Sequence, residues 1–318
     1  MFLESFRITG VAVGQIFLLA AMGYFLVKRN FLGPESLNSL SRLVMEVTLP
    51  LLIFCQLVKE FTFQAYSNWW VFPLISIAIT CVGLFVGALG LGFIKGLQQK
   101  TQFVSLIAFQ NSGYLPLAFI AALLPADKTG TLFIYLFLFL IGFNLVLFSL
   151  GVHLLCFHKE RKFELLSLFN PPVVATLASL VVVFFGLQKL VPDALLKPLR
   201  MAGDCTLPLA MFVVGGNLAQ IKLSRVDVKP VFLVVILKMI FMPLFGLWVL
   251  AYLKPPELIG LLIIIQLAMP SAANLSVIVS YYKREDFYIN QGIFFTHVIS
   301  VITIPVFLSL YYMFFMLK

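Results

Sequence analysis

Ten apolar runs, most of them twenty residues or longer, leave this chain few ways to fold. A helix needs about 20 apolar residues to cross the hydrocarbon core of a bilayer. Runs of that kind occupy approximately 8–28, 38–58, 69–94, 102–124, 130–156, 170–190, 200–220, 230–253, 257–282 and 289–316. Only 11% of the 318 residues are charged, against roughly 25% in a soluble domain. The expected fold is an all-α membrane protein with ten transmembrane helices. The first run has no small-residue cleavage site and reads as a span, not a removable leader.

The net charge of +9 is concentrated in the connections between runs, where membrane insertion favours Lys and Arg. It therefore gives no reason to expect nucleic acid as a partner; the bilayer is the surface implied. Connections after odd-numbered spans carry thirteen Lys and Arg, the opposite side eight, and Lys238 lies within span eight. That asymmetry predicts a multi-pass protein of the plasma (inner) membrane with both termini outside the cytoplasm. Cys55, Cys81, Cys156 and Cys205 lie in apolar runs without metal-ligand spacing and read as small core residues. No cofactor or metal is expected, apart from a coupling H+ or Na+.

Two of the runs are interrupted. Gln110–Leu117 reads QNSGYLPL inside span four, and Gln266–Asn274 reads QLAMPSAAN inside span nine. Unpaired backbone groups in hydrocarbon cost several kcal/mol each, so such breaks persist only against a cavity or other protein. Interrupted spans in corresponding halves of a chain point to the binding site of a secondary transporter. Pro116 and Pro270 suit the breaks because proline lacks a donor and clashes with the preceding turn. The second half of each broken span would present its positive N-terminal end at mid-membrane, a setting for an anion. The candidate substrate-binding residues are Gln110, Asn111, Ser112, Gly113, Tyr114, Pro116, Gln266, Pro270, Ser271 and Asn274. The alternative is a pair of kinked helices whose polar residues pack against neighbours.

The chain also repeats itself. PESLNSLSRLVMEVTLPLLIF (34–54) aligns with PDALLKPLRMAGDCTLPLAMF (192–212), pairing Pro34 with Pro192, Arg42 with Arg200, Glu46 with Asp204, and the two Thr-Leu-Pro triplets. This predicts a first five-helix repeat over 1–157, a cytoplasmic linker over 158–169, and a second repeat over 170–318. Five is odd, so the second copy enters the membrane inverted, the architecture of alternating access. Glu46 and Asp204 are intramembrane acids that need a partner, a proton or a cation. Each is either a coupling or gating group or the partner of the arginine one turn earlier, Arg42 or Arg200. Lys238, deep in span eight, is a third coupling or gating candidate, able to attract an anion or pair with an acid. His153 and His297 read as satisfied core residues, and His158 as a loop charge. Asn170-Pro171-Pro172 reads as a helix start, and Gly215-Gly216-Asn217 as a surface for close helix approach.

The opening NPPVVATLASL of span six, TLPLAMFVVGGNLA of span seven, and the Asn- and Pro-containing breaks resemble the auxin efflux carrier family. That family contains plant PIN carriers and bacterial malate and malonate permeases; the absence of a long central loop resembles its compact bacterial members. The resemblance implies a fold shared with sodium–bile acid symporters, with broken spans four and nine crossing at the substrate site. It implies a scaffold of spans 1, 2, 6 and 7, and a transport domain of spans 3–5 and 8–10. It further implies a homodimer that moves small organic anions by an elevator-like motion, and a coupling or gating role for Glu46 and Asp204. NSGYLPL and MPSAAN depart from the plant pattern, which argues against auxin itself as substrate. The competing classes are an anion channel and an intramembrane enzyme. The second lacks any nucleophile–base pair in a recognisable setting, so no catalytic residues are assigned.

Overall fold

The computed structural model describes residues 2–155, 168–221, 226–281 and 287–316. Among them the chain is helical, apart from connections and one isolated pair of bridged residues. Seven helices are long and apolar enough to cross a membrane: α1 (Phe2–Lys28), α2 (Pro34–Glu60), α3 (Val71–Phe93), α6 (Ala126–Leu155), α8 (Asp193–Gln220), α9 (Val228–Leu253) and α12 (Phe287–Met316). Shorter helices complete the set: α4 (Leu97–Ala108), α5 (Tyr114–Leu123), α7 (Pro171–Phe184), α10 (Glu257–Ala268) and α11 (Asn274–Tyr281). The apolar runs at 102–124 and 257–282 are thus each divided, into α4 and α5 and into α10 and α11. Cys156, His158, Lys318 and most of the expected 158–169 linker lie outside the described residues. So do Lys159, Arg161, Lys162, Lys222, Arg225, Lys283 and Arg284, on which much of the charge asymmetry rests.

Helix ends follow local chemistry. α1 begins at Phe2, earlier than the apolar run, because its polar first turns find partners: Thr9 Oγ1 donates to Ser5 O and lies 2.8 Å from Ser309 Oγ of α12. α7 starts as expected, with the Asn170 side chain accepting from Val173 N at 3.1 Å and Pro171 in the first turn. It ends at Phe184, short of 190, where Gly186 takes the left-handed conformation (φ 70°) that closes helices.

Two groups of helices emerge from the packing. α1 lies along the second half of α8, while α2 packs on α7 and on the first half of α8. In the other group α3 packs on α4 and α6, and α12 on α9 and α10, with α1 touching α12 and α5 across the boundary. Gly215 makes the α1–α8 contact possible: a Cβ there would collide with the backbone carbonyl of Ala20, and the reciprocal Gly23 faces Phe212 backbone. Small residues let membrane helices approach this closely, as the Gly215-Gly216 pair predicts. Phe25, Phe85, Phe184 and Trp248 project outward from α1, α3, α7 and α9, the apolar exterior that lipid requires. Two cysteines depart from expectation. Cys55 is buried, but Cys81 and Cys205 are exposed, because the faces of α3 and α8 that carry them turn away from the interior.

Candidate functional site

The site is built where the two divided spans meet. α4 is seated against α3 by two glycines: a Cβ at Gly83 would lie 2.7 Å from Ala108 Cα, and one at Gly87 3.0 Å from Val104 Cα. Beyond Ala108 the chain leaves the helix, and Gln110 forms an antiparallel bridge with Ser271. Asn111 N donates to Pro270 O at 2.8 Å, and Ala272 N donates to Phe109 O at 2.9 Å. Each break therefore supplies the backbone partners the other lacks, which removes the penalty of irregular backbone inside a membrane. Pro270, with no N–H of its own, serves as an acceptor; Pro116 sits in the first turn of α5, where no donor is needed.

The carbonyls at the end of α4 are capped from elsewhere. Ser271 Oγ donates to Leu106 O at 2.6 Å, and Lys238 Nζ donates to Ile107 O at 2.9 Å. Gln266 Nε2 reaches Ser112 O at 3.2 Å, and Ser271 N donates to Thr296 Oγ1 of α12 at 3.2 Å. Gln266, Pro270 and Ser271 thus hold the crossing together, while Pro116 does not line the cavity described next.

In front of it lies a cavity of about 380 Å³, within the roughly 300–1,000 Å³ of small-molecule sites. Gln110, Asn111, Ser112, Gly113 and Tyr114 of the first break line it, together with Ala272, Ala273 and Asn274 of the second. The opposite wall comes from α2 (Asn38, Ser41, Arg42, Glu46) and α8 (Asn217), and α6 adds Asn144. The cavity thus lies on the boundary between the two packing groups. Both polar atoms of the Gln110 side chain, Ser112 Oγ and Tyr114 Oη are buried without a hydrogen-bond partner. Each such group costs about 1–3 kcal/mol when left unsatisfied.

The two acids are held differently. Glu46 lies in a π-helical turn, Val44–Thr48, where Leu49 N reaches back five residues to Val44 O. Pro50 has no N–H to offer the Glu46 carbonyl, and widening the turn accommodates that gap. Glu46 Oε1 pairs with Arg42 Nε at 3.0 Å, and both side chains line the cavity. Asp204 pairs with Arg200 Nε at 2.9 Å, Arg200 Nη1 also donates to Gln56 Oε1 at 2.7 Å, and neither residue lines the cavity. The helix passes its proline here through a turn at Cys205 instead of a π turn. Lys238 is fully buried behind the crossing. His297 is buried with Nδ1 2.8 Å from Ile293 O.

Sequence reasoning did not single out Asn38, Ser41, Asn144 and Asn217 as lining residues. Asn217 carried a signal, a lone amide after two glycines, and Asn144 was the one amide side chain in the run 130–156.

A family profile described as membrane transport protein, that of the auxin efflux carriers, matches residues 10–162 and 156–308. The chain belongs to that family. Among curated proteins it is similar to PIN-LIKES 7 of Arabidopsis thaliana, 24% identical over 88% of this chain and 91% of the relative. PIN-LIKES 1 of the same plant is 21% identical over 96% of this chain and 79% of its own length. An uncharacterized transporter of Methanocaldococcus jannaschii is 24% identical over 91% of this chain and 94% of the relative. These relatives and the apolar helices make it a multi-pass membrane protein of a transport family.

Proposed function

We propose that this auxin efflux carrier family member is a secondary transporter of small organic anions, mono- or dicarboxylates, working by elevator-type alternating access. The observation that carries the reading is a cavity between two groups of helices, lined by Gln110–Tyr114 of the first break and by Ala272, Ala273 and Asn274 of the second. The N-terminal turns of α5 and α11 start at that cavity and favour negative charge. In this reading the chain comprises ten spans in two inverted repeats, residues 1–157 and 170–318, in a plasma membrane with both termini non-cytoplasmic. α1, α2, α7 and α8 form a scaffold, the remaining helices a transport domain, and two copies make a homodimer.

The Arg42–Glu46 pair supplies a coupling device. Glu46 occupies Arg42, and both side chains line the cavity that a substrate carboxylate would enter. A transmembrane voltage acts on an unaccompanied anion by about 2.3 kcal/mol per charge per 100 mV, so inward movement against a negative interior requires a co-transported cation. An anion channel is the second reading.

The test is counterflow of labelled malate in liposomes carrying the purified protein, with other carboxylates competing and with imposed proton or sodium gradients. Saturable exchange is expected, lost in Asn111→Ala and altered in its pH dependence in Glu46→Gln. Flux without counterflow replaces the carrier by a channel. No carboxylate flux from folded protein removes the organic-anion reading.

A further inference from the structure

The cavity is lined by one base and one acid, Arg42 and Glu46, and they pair with each other. Among the described residues no other Lys, Arg, Asp or Glu lines it. The charged side chains of the site therefore sum to zero. A carboxylate entering the cavity gains from the guanidinium and is opposed by Glu46, because neighbouring like charges repel. A site for simple anions has no use for that acid in its wall.

The pair is open to a ligand. Arg42 Nε donates to Glu46 Oε1 at 3.0 Å, while the second contact, from Arg42 Nη2 to Glu46 Oε2, is stretched to 3.5 Å. Neither side chain has a further hydrogen-bond partner among the described residues, so guanidinium N–H groups and carboxylate lone pairs are left over. The two side chains are 68% and 49% exposed, and a wetted ion pair costs little to rearrange. Arg200 of the second pair is placed differently: it spends another N–H on Gln56 Oε1 and does not line the cavity.

One kind of carboxylate meets both charges. An α-amino acid carries its ammonium and its carboxylate on the same carbon, a compact charge pair of its own. Laid antiparallel to Arg42–Glu46, it sets its carboxylate on the guanidinium and its ammonium on a Glu46 oxygen, both charge-assisted hydrogen bonds. Asn38, Asn111 and Asn217 line the same cavity, and an amide both donates and accepts, as a ligand with donors and acceptors requires. Much of the remaining wall is apolar, Phe143, Phe148 and Val277 among it, which suits an apolar side chain and penalises a second unpaired charge.

We infer that the ligand of this cavity is a zwitterion, an α-amino acid with an apolar side chain, and that Glu46 recognises its ammonium. For flux the inference rests on the transporter reading, and it narrows the carboxylate to one with an ammonium on the adjoining carbon. A zwitterion has no net charge, so its movement does no work against the membrane voltage.

The test uses three molecules of one shape: leucine, isocaproate (leucine without its ammonium) and isoamylamine (leucine without its carboxylate). Binding of each to the purified protein is titrated calorimetrically in detergent, and counterflow of labelled leucine and isocaproate is measured in liposomes. Leucine is expected to bind roughly tenfold or more tightly than either partial analogue, since each lacks one charge-assisted hydrogen bond. In Glu46→Gln, leucine is expected to weaken while isocaproate tightens, because Arg42 is released to the anion. Opposite shifts on one variant separate recognition from misfolding, and the comparison on the unaltered chain decides even where the variant does not fold. Isocaproate or isoamylamine binding as tightly as leucine overturns the inference, as does an unchanged leucine preference in Glu46→Gln. Counterflow of isocaproate or malate without counterflow of leucine also overturns it and leaves a carboxylate carrier standing. If leucine binds as expected and nothing crosses the liposome membrane, the transporter reading fails and the zwitterion site stands.

Discussion

Both breaks place Gln, Asn, Ser and Pro inside an apolar run, and they employ them differently. In the first, Gln110, Ser112 and Tyr114 line the cavity and carry buried polar atoms without partners. In the second, Ser271 is fully engaged, its N–H with Thr296 and its hydroxyl with Leu106 O, while Gln266 holds Ser112 O. The acids divide the same way: Arg42–Glu46 lines the cavity, and Arg200–Asp204 is braced by Gln56 away from it. Both breaks reach the cavity, the first through Gln110–Tyr114 and the second through Ala272, Ala273 and Asn274. Only the second also supplies side-chain hydrogen bonds to the first, from Ser271 to Leu106 O and from Gln266 to Ser112 O.

The sharpest way to break this contrast is to exchange the two glutamines for leucine. Gln110→Leu removes no protein hydrogen bond, so melting is expected to be unchanged or raised while carboxylate affinity falls by roughly tenfold or more, about 1.4 kcal/mol per decade. Gln266→Leu strands Ser112 O and is expected to lower stability by about 1–3 kcal/mol. Calorimetry beside a binding isotherm reads both, and the reverse pattern would abolish the distinction between the breaks. A smaller effect is expected from the serines. Ser271→Ala leaves Leu106 O unpaired and lowers the melting temperature, whereas Ser112→Ala leaves melting intact and weakens substrate binding a few-fold. The smallest difference concerns the acids. Glu46→Gln is expected to change the pH profile of exchange, and Asp204→Asn to leave both flux and profile near those of the unaltered protein, since Arg200 keeps Gln56.

What the sequence made legible was whatever polar chemistry stands out against an apolar background. The breaks at QNSG and MPSA, the helix start at Asn170, and the glycine contact at Gly215 are all local departures with few physical explanations. The pairing of acids with arginines one turn earlier was one of two open readings, and the structure contains both ion pairs. The division of duty between the copies was not legible, because it depends on which helix face meets the cavity. Nor was the partner of Lys238: a lysine in VILKMIF has the same spacing whether it meets an acid, an anion or a carbonyl. That Ile107 O lies beneath it follows from how α9 crosses the end of α4, which no residue within either helix records. The polar walls at Asn38 and Asn217 were missed for the same reason, each being an ordinary amide until α2 and α8 are brought face to face.

The bridge between Gln110 and Ser271 also bears on how the molecule is made. The Phe109 carbonyl and the Asn111 amide find their backbone partners in Ala272 and Pro270, some 160 positions later in synthesis. Until that later segment has entered the membrane, the first break is a stretch of peptide with unanswered amide and carbonyl groups in hydrocarbon, a condition costing several kcal/mol per group. The nascent first half must therefore wait, sheltered by water, lipid headgroups or the insertion machinery. Its binding surface comes into being only when the last third of the chain arrives to complete it.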